Sequence, residues 1–271
     1  MNRDVPITIS DLQGVARTLL VPLACRAIES IRPDAMIHDP CAVELYNRLG
    51  GSREFLLGFR EHDRLFTVMR IRQFDTFARS FLARNPDGLV VDIGCGLDTR
   101  FHRLDDGTFT WLGVDLPEVI QLRRQWLPDV DRCTTIAQSM FELNWLDEVA
   151  RFNKPVIFLA EGVFPYFSTR DVKPMLTAMA ERFPTAELVF DALSPFVAWL
   201  NKSSSVLKRS GAEALWDAKN PSELETWGLR LLECWGYFDN PEPRLGGAAN
   251  LMRAIPLVAK AAYVLHYRLR K

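Results

Sequence analysis

Two glycines and two aspartates carry the chemistry most readily read from this chain. In Val91-Asp92-Ile93-Gly94-Cys95-Gly96-Leu97-Asp98-Thr99-Arg100, a short apolar run opens into a pair of glycines. Glycine lets the backbone turn sharply after a strand and approach a ligand closely, because no Cβ stands in the way. Just beyond the carboxyl end of a first strand, such a turn meets nucleotide-bearing ligands. Asp115 ends the next apolar run, nineteen residues after Gly96. A carboxylate at that tip accepts two hydrogen bonds from a ribose diol, and a spacing of about 20 residues is the expected reach. A second reading makes Asp115 the cap of a helix opening near Pro117. The glycine loop in front of it favours the sugar.

The loop is not a dinucleotide cradle. That fingerprint has a third glycine three residues after Gly96, where this chain has Thr99. The pattern is D-x-G-x-G, without the glycine that lets a helix pack close under a pyrophosphate. A nucleoside whose tail is an amino acid needs no such cradle and instead wants a cation for its carboxylate. An NAD(P)-dependent oxidoreductase and a non-catalytic nucleoside-binding domain are the competing readings. No G-x-S-x-G elbow, P-loop or H-E-x-x-H motif is present, so hydrolytic and metal chemistry have no signature here.

These residues need a sheet to hold them. The runs at 89–93, 109–114, 134–137, 156–160 and 188–190 are short and mostly apolar, as strands buried on both faces are. Helical stretches separate most of them. Pro117 suits the first position of a helix carrying Val119, Leu122 and Trp126. Ser168 or Thr169 caps another that carries Val172, Met175, Leu176 and Met179. This alternation predicts a doubly wound α/β fold with a parallel sheet covered on both sides. Near the end, Tyr263, Leu265, Tyr267 and Leu269 alternate with Val264, His266 and Arg268, the period of a strand with unlike faces, able to add antiparallel.

Ahead of the first strand, residues 11–81 read as helical. Val15, Leu19, Leu20, Leu23, Ala27 and Ile31 recur on one face, and Phe66, Met69, Phe74, Phe77 and Phe81 on another. Pro33, Pro40 and Gly50-Gly51 interrupt them, and Asn85-Pro86-Asp87-Gly88 is a turn signal. The expected organisation is a helical cap over 1–85 and an α/β domain over 86–271. A helical insertion at about 194–228 is read as facing the substrate or acting as a lid.

The chain's 271 residues suffice for one large α/β domain with an appendage. With 33 basic and 34 acidic residues, no block of either sign stands out, which argues against nucleic acid as a partner. Cys25, Cys41, Cys95, Cys133 and Cys234 are odd in number and scattered, indicating neither a zinc site nor a disulfide framework. The start has no apolar signal core, and no apolar run is long enough to span a membrane. The expectation is a cytoplasmic protein acting on a small molecule, without nucleic-acid or membrane partners. The pattern does not address its oligomeric state.

Three segments together resemble one family: Leu112-Gly113-Val114-Asp115-Leu116-Pro117-Glu118-Val119-Ile120, Gly96-Leu97-Asp98-Thr99-Arg100, and Glu161-Gly162-Val163-Phe164-Pro165-Tyr166-Phe167. It is the leucine carboxyl methyltransferase superfamily, in particular its bacterial branch of tetracenomycin-type polyketide O-methyltransferases. Thr18-Leu19-Leu20-Val21-Pro22-Leu23, Asp39-Pro40-Cys41-Ala42 and Ser139-Met140-Phe141-Glu142-Leu143-Asn144-Trp145-Leu146 are similar to that branch as well. The resemblance implies a class I methyltransferase (Rossmann-like) fold, with a mostly parallel seven-stranded sheet and an N-terminal helical lid or cap. It implies S-adenosyl-L-methionine as cofactor and methyl transfer to a carboxylate or hydroxyl of a small, polyketide-like metabolite.

Carried over residue by residue, the resemblance implies that Arg70 binds the cofactor carboxylate, with Arg72 as its competitor. Gly94, Cys95 and Gly96 approach the methionine portion, and Asp115 and Leu116 the ribose side. Met140 and Phe141 pack on adenine, and Glu142 takes the adenine amino group where the family more often has Asp. Glu161, at a strand tip, touches the amine or sulfonium region or orients the following loop. Thr18 and Tyr166 border the acceptor. A carboxylate acceptor, with a pKa of about 4, is already nucleophilic at neutral pH; a phenol, at about 10, wants a base. His38, His62, His102 and His266 show no pairing in sequence, so no catalytic base is assigned.

Overall fold

The computed structural model describes residues 19–51, 60–193, 215–216, 218, 220–239, 242–247 and 262–270. Three helices precede the sheet: α1 (Leu20–Ser30), α2 (Pro40–Arg48) and α3 (Glu61–Arg84). Asp39 caps α2 by accepting from the Ala42 amide at 2.9 Å, and Pro40 opens it at a position where no amide hydrogen is needed. On α1 the predicted face is buried at Leu20, Leu23 and Ala27, whereas Ile31 has left the helix as its C-cap and is 72% exposed. Val15 lies outside the described residues.

The α/β rhythm then follows the strands. β1 (Leu89–Ile93), α4 (Arg100–Leu104), β2 (Thr110–Asp115), α5 (Pro117–Trp126) and β3 (Cys133–Ala137) lead to α6 (Trp145–Arg151) and β4 (Val156–Ala160). A 3-10 turn at Phe164–Tyr166, α7 (Thr169–Arg182), β5 (Glu187–Leu193), β6 (Leu229–Gly236) and β7 (Ala262–Leu269) complete the order. The seven strands lie as β3-β2-β1-β4-β5-β7-β6, with β1 to β5 parallel and β7 antiparallel to both neighbours. Strand order reverses between β2 and β4, on either side of β1. A ligand crevice opens at such a switch point, outside the carboxyl ends of the strands.

Two cores sandwich the sheet. Leu89, Val91, Leu112, Val114, Phe158, Leu188 and Leu265 face α6 and α7. Val90, Trp111, Ile157, Leu159, Val189 and Val264 face the other way, onto Met69, Phe74, Phe77 and Phe81 of α3. The aromatic stripe read from the sequence is thus an inner face, and α3 forms one layer of the sandwich itself. Burial on this scale is worth about 2 kcal/mol per large apolar side chain, and truncating Phe74 would cost roughly 3–5 kcal/mol.

Two strand readings change. β6 was not anticipated: Arg230, Leu232, Glu233 and Cys234 are exposed on this edge strand, which breaks the simple alternation that marks a half-buried one. In β7 the polar-looking face is solvated only at Arg268. His266 is buried, and its Nε2 is 2.9 Å from Glu187 Oε2, with Arg84 and Arg268 on the same carboxylate. No helix among the described residues is long and apolar enough to cross a membrane.

Candidate functional site

At the switch point lies a cavity of about 410 Å3, walled by the β1, β2 and β4 tips, by α1 and α3, and by the segment after β3. Arg70, Gly94, Cys95, Gly96, Asp115, Leu116, Met140, Phe141, Glu161 and Tyr166 all line it. Glu142 and Arg72 do not. Glu142 is exposed, with its carbonyl accepting from Gln138, and Arg72 lies 3.9 Å from Glu242. Thr18, and most of the insertion at about 194–228, fall outside the described residues.

The glycine turn is shaped by backbone that other residues do not readily adopt. Gly94 and Gly96 have φ of +70° and +44°, and a Cβ on Gly94 would overlap Val163. Gly96 N–H donates to Asp115 Oδ2 at 2.8 Å, and Leu116 N–H donates to Oδ1 at 2.8 Å. From α5, the buried Arg123 donates to the Gly96 and Asp98 carbonyls at 2.9 and 2.7 Å, its guanidinium 4.7 Å from the centre of the Trp111 ring. The turn is therefore clamped from both its amide and carbonyl sides. Burial pushes the Asp115 carboxyl up to about 6, and the two amide bonds only partly oppose that.

The opposite end of the cavity is a buried ion network that sequence reasoning missed. Arg100 donates to Asp75 at 2.7 Å, Asp98 at 2.5 Å and Glu161 at 2.5 Å. Arg103 shares Asp75 and Asp98 and reaches Asp39, which also pairs with Arg26. Burial opposes ionisation of Asp98, but Arg100 and Arg103 hold its carboxyl well below the usual range. Arg70 Nε donates to Glu161 Oε1 at 3.2 Å, and its Nη1 donates to Asp191 Oδ2 at 3.1 Å.

Asp92 is the exception in this network. It is 2% exposed and lines the cavity, yet its Oδ2 has no hydrogen-bond partner; Arg100 Nη1 stands 4.0 Å away. Burial and the neighbouring Asp98 push its carboxyl well above the usual range. An orphaned acceptor inside a packed protein costs about 1–3 kcal/mol, and a ligand's ammonium group placed there would relieve that cost. Asp92 was visible in sequence as the start of D-x-G-x-G, but nothing local signalled the open oxygen. Taken together, the cavity offers a carboxyl with an unpartnered oxygen, an arginine, two close-approach glycines and a strand-tip carboxylate. That set fits the ammonium, carboxylate and ribose of an amino-acid nucleoside.

Comparisons with known proteins agree with this chemistry. Among curated relatives, the chain is 35% identical over 264 residues to the tetracenomycin polyketide synthesis O-methyltransferase TcmP of Streptomyces glaucescens, covering 94% of this chain and 97% of that one. It is 28% identical over 247 residues to the S-adenosyl-L-methionine-dependent methyltransferase dpfgK of Gibberella zeae, covering 82% of each. The fold is similar to a crystallised putative methyltransferase from Thermobifida fusca YX, with a TM-score of 0.58 at 14% identity, covering 96% of both chains. A DUF574 family protein from Streptomyces avermitilis matches equally, with a TM-score of 0.58 at 14% identity, covering 91% of this chain and 96% of that one. The sequence profile described as Leucine carboxyl methyltransferase matches residues 20–180, from α1 through most of α7 and so across every wall of the cavity described above. The chain therefore belongs to the leucine carboxyl methyltransferase family and is an S-adenosyl-L-methionine-dependent methyltransferase.

Proposed function

We propose that this enzyme methylates an oxygen, carboxylate or hydroxyl, of a small polyketide-like metabolite. The observation that carries the cofactor end of this reading is the unpartnered Asp92 oxygen in the same cavity as Arg70 and Asp115. Asp92, with Glu161 beside it, receives the ammonium, and Arg70 takes the carboxylate as a planar donor. Asp115 accepts from the ribose diol. The backbone of Gly94, Cys95 and Gly96 supports the chain between them, and Leu116, Met140 and Phe141 flank the base. Glu142 is too exposed for the adenine role, and Ser139, which lines the cavity, is the nearer polar group.

Charge supports a sulfonium ligand over a dinucleotide. The lining carries Asp92, Asp98, Asp115 and Glu161 against Arg26 and Arg70 only. A surplus of carboxyl groups favours a cation and disfavours a pyrophosphate. The bound cofactor supplies an electrophilic methyl group. The chain's task is then to align the acceptor and keep water out, which together are worth several kcal/mol. Leu19, Val21, Pro22, Val163 and Phe167 give the acceptor side an apolar wall, with Tyr166 as its polar handle. No histidine lines the cavity among the described residues, which suits an acceptor that is already ionised. Before residue 85, Leu19, Val21, Pro22 and Arg26 at α1 and Thr67 and Arg70 on α3 line the cavity, so α1 closes the site as its cap beside the α3 layer. All five cysteines are free, consistent with a reducing, cytoplasmic setting.

The test incubates the enzyme with S-adenosyl-L-methionine and a panel of aromatic carboxylic acids and phenols, reading methyl gain by mass spectrometry. Alkali-labile methyl esters or stable methyl ethers are expected, and they identify the acceptor oxygen. Methylation at nitrogen or carbon alone would overturn the reading, as would cofactor binding without transfer to any acceptor.

A further inference from the structure

Arg70 is pinned by two carboxylates, and only one of them lines the cavity. Asp191, on β5, is 4% exposed and does not line it. Its Oδ1 accepts from Gly162 N–H at 2.5 Å, and its Oδ2 accepts from Arg70 Nη1 at 3.1 Å. One carboxylate thus fixes both the guanidinium and the backbone turn that follows β4. Gly162 has φ +68°, and a Cβ there would stand 3.1 Å from Arg70 Nη2, so the turn leaves space for the guanidinium alone. With Nε on Glu161 and Nη1 on Asp191, the orientation of the planar group is set by two points. Glu161 is in turn held by Arg100.

We propose that Asp191 is a positioning residue for the amino-acid tail of the cofactor, acting through Arg70 and Gly162 without touching the ligand. The proposal rests on the assignment of Arg70 to the cofactor carboxylate. It extends the cofactor site to a fourth strand, β5, where the sheet turns antiparallel at the Asp191–Val264 register pair. A planar donor recognises a carboxylate only when its plane is fixed, so freeing one anchor costs tail affinity and leaves the nucleoside half untouched.

The experiment compares two ligands by calorimetry: S-adenosylhomocysteine, which carries the tail, and 5′-methylthioadenosine, which lacks it. Asp191→Asn keeps an acceptor for Gly162 N–H but withdraws the charge from Arg70. The expected result is about a 10- to 100-fold weaker S-adenosylhomocysteine Kd with the 5′-methylthioadenosine Kd unchanged within about twofold. Arg70→Met should show the same selectivity, and combining the two should add little to either, as a shared pathway requires. If Asp191→Asn folds poorly, Asp191→Glu retains the charge while displacing it, and the same selective loss is expected. Equal weakening of both ligands, or no change in either, overturns the proposal and leaves Asp191 as scaffold. Failure of the unaltered enzyme to prefer S-adenosylhomocysteine over 5′-methylthioadenosine would instead overturn the Arg70 assignment.

Discussion

Replacing Asp115 by Asn tests the nucleoside end of the site most directly. Both carboxylate oxygens are already engaged by backbone amides, from Gly96 and Leu116 at 2.8 Å each. On the proposed reading, the charge is concentrated on a group whose remaining lone pairs accept from the sugar. An amide has one acceptor oxygen, so the variant loses one backbone partner and most of its capacity for the diol. Hydrogen bonds to a charged acceptor are worth about 1.5–3 kcal/mol each, and a loss of about 2–4 kcal/mol corresponds to a roughly 30- to 1,000-fold weaker Kd. Titration calorimetry with S-adenosylhomocysteine at pH 8 reads this directly.

The same substitution has a pH signature. The Asp115 carboxyl is raised to about 6 in the folded protein, chiefly by burial. In the unaltered enzyme, affinity is therefore flat above about pH 7 and falls as the pH drops through 6, and Asp115→Asn abolishes that step. Stability runs the opposite way. A carboxyl with a raised folded pKa favours folding at low pH, and this contribution is lost as the pH rises from about 4 through 6. Ionising Asp115 thus costs the fold about 3 kcal/mol at pH 8, so the variant should melt no lower there despite binding poorly. A Kd within threefold of the unaltered value, with the pH step intact, would refute the assignment.

Other perturbations have equally definite outcomes. Arg123→Met removes the donors to the Gly96 and Asp98 carbonyls, and about a tenfold loss of S-adenosylhomocysteine affinity is expected from the loosened turn; an unchanged Kd would contradict the clamp. Glu142→Gln should leave that Kd within twofold, since the residue is exposed and off the cavity. Glu187 is held down to about 2, against burial, by His266 and Arg84. Its contribution of about 3 kcal/mol is present above pH 4.5 and lost as the pH falls towards 2. Urea denaturation across that range should show a shallower acid loss for Glu187→Gln.

The glycine turn and Asp115 were legible in the sequence because strand, turn and next strand tip are joined by short, local spacings. β1, β2, β4 and β5 were legible because burial on both faces writes an apolar run, whereas β3, at the sheet edge, buries only alternate residues and was read as a similar short run. β6 was not: an edge strand with Arg230, Leu232 and Glu233 exposed carries no such mark. Nor was the partnership of Arg70 with Asp191, 121 residues apart, or of Arg100 with Asp75 and Glu161. Each of those arginines looks like a surface cation until folding brings its carboxylates together. Glu142, read from its place along the chain as the adenine contact, stands exposed and off the cavity, because the turn after β3 directs it to solvent.

The arginine–carboxylate lattice at this end of the cavity also constrains which of its residues can change singly. Asp75, Asp98 and Glu161 are each shared between two guanidinium groups. Deleting one member leaves largely buried charges without their partner, at about 3–5 kcal/mol. The greasy lip formed by Leu19, Val21, Pro22 and Phe167 carries no such debt, so on the proposed reading substitutions there change acceptor preference while the electrostatic foundation beneath stays intact.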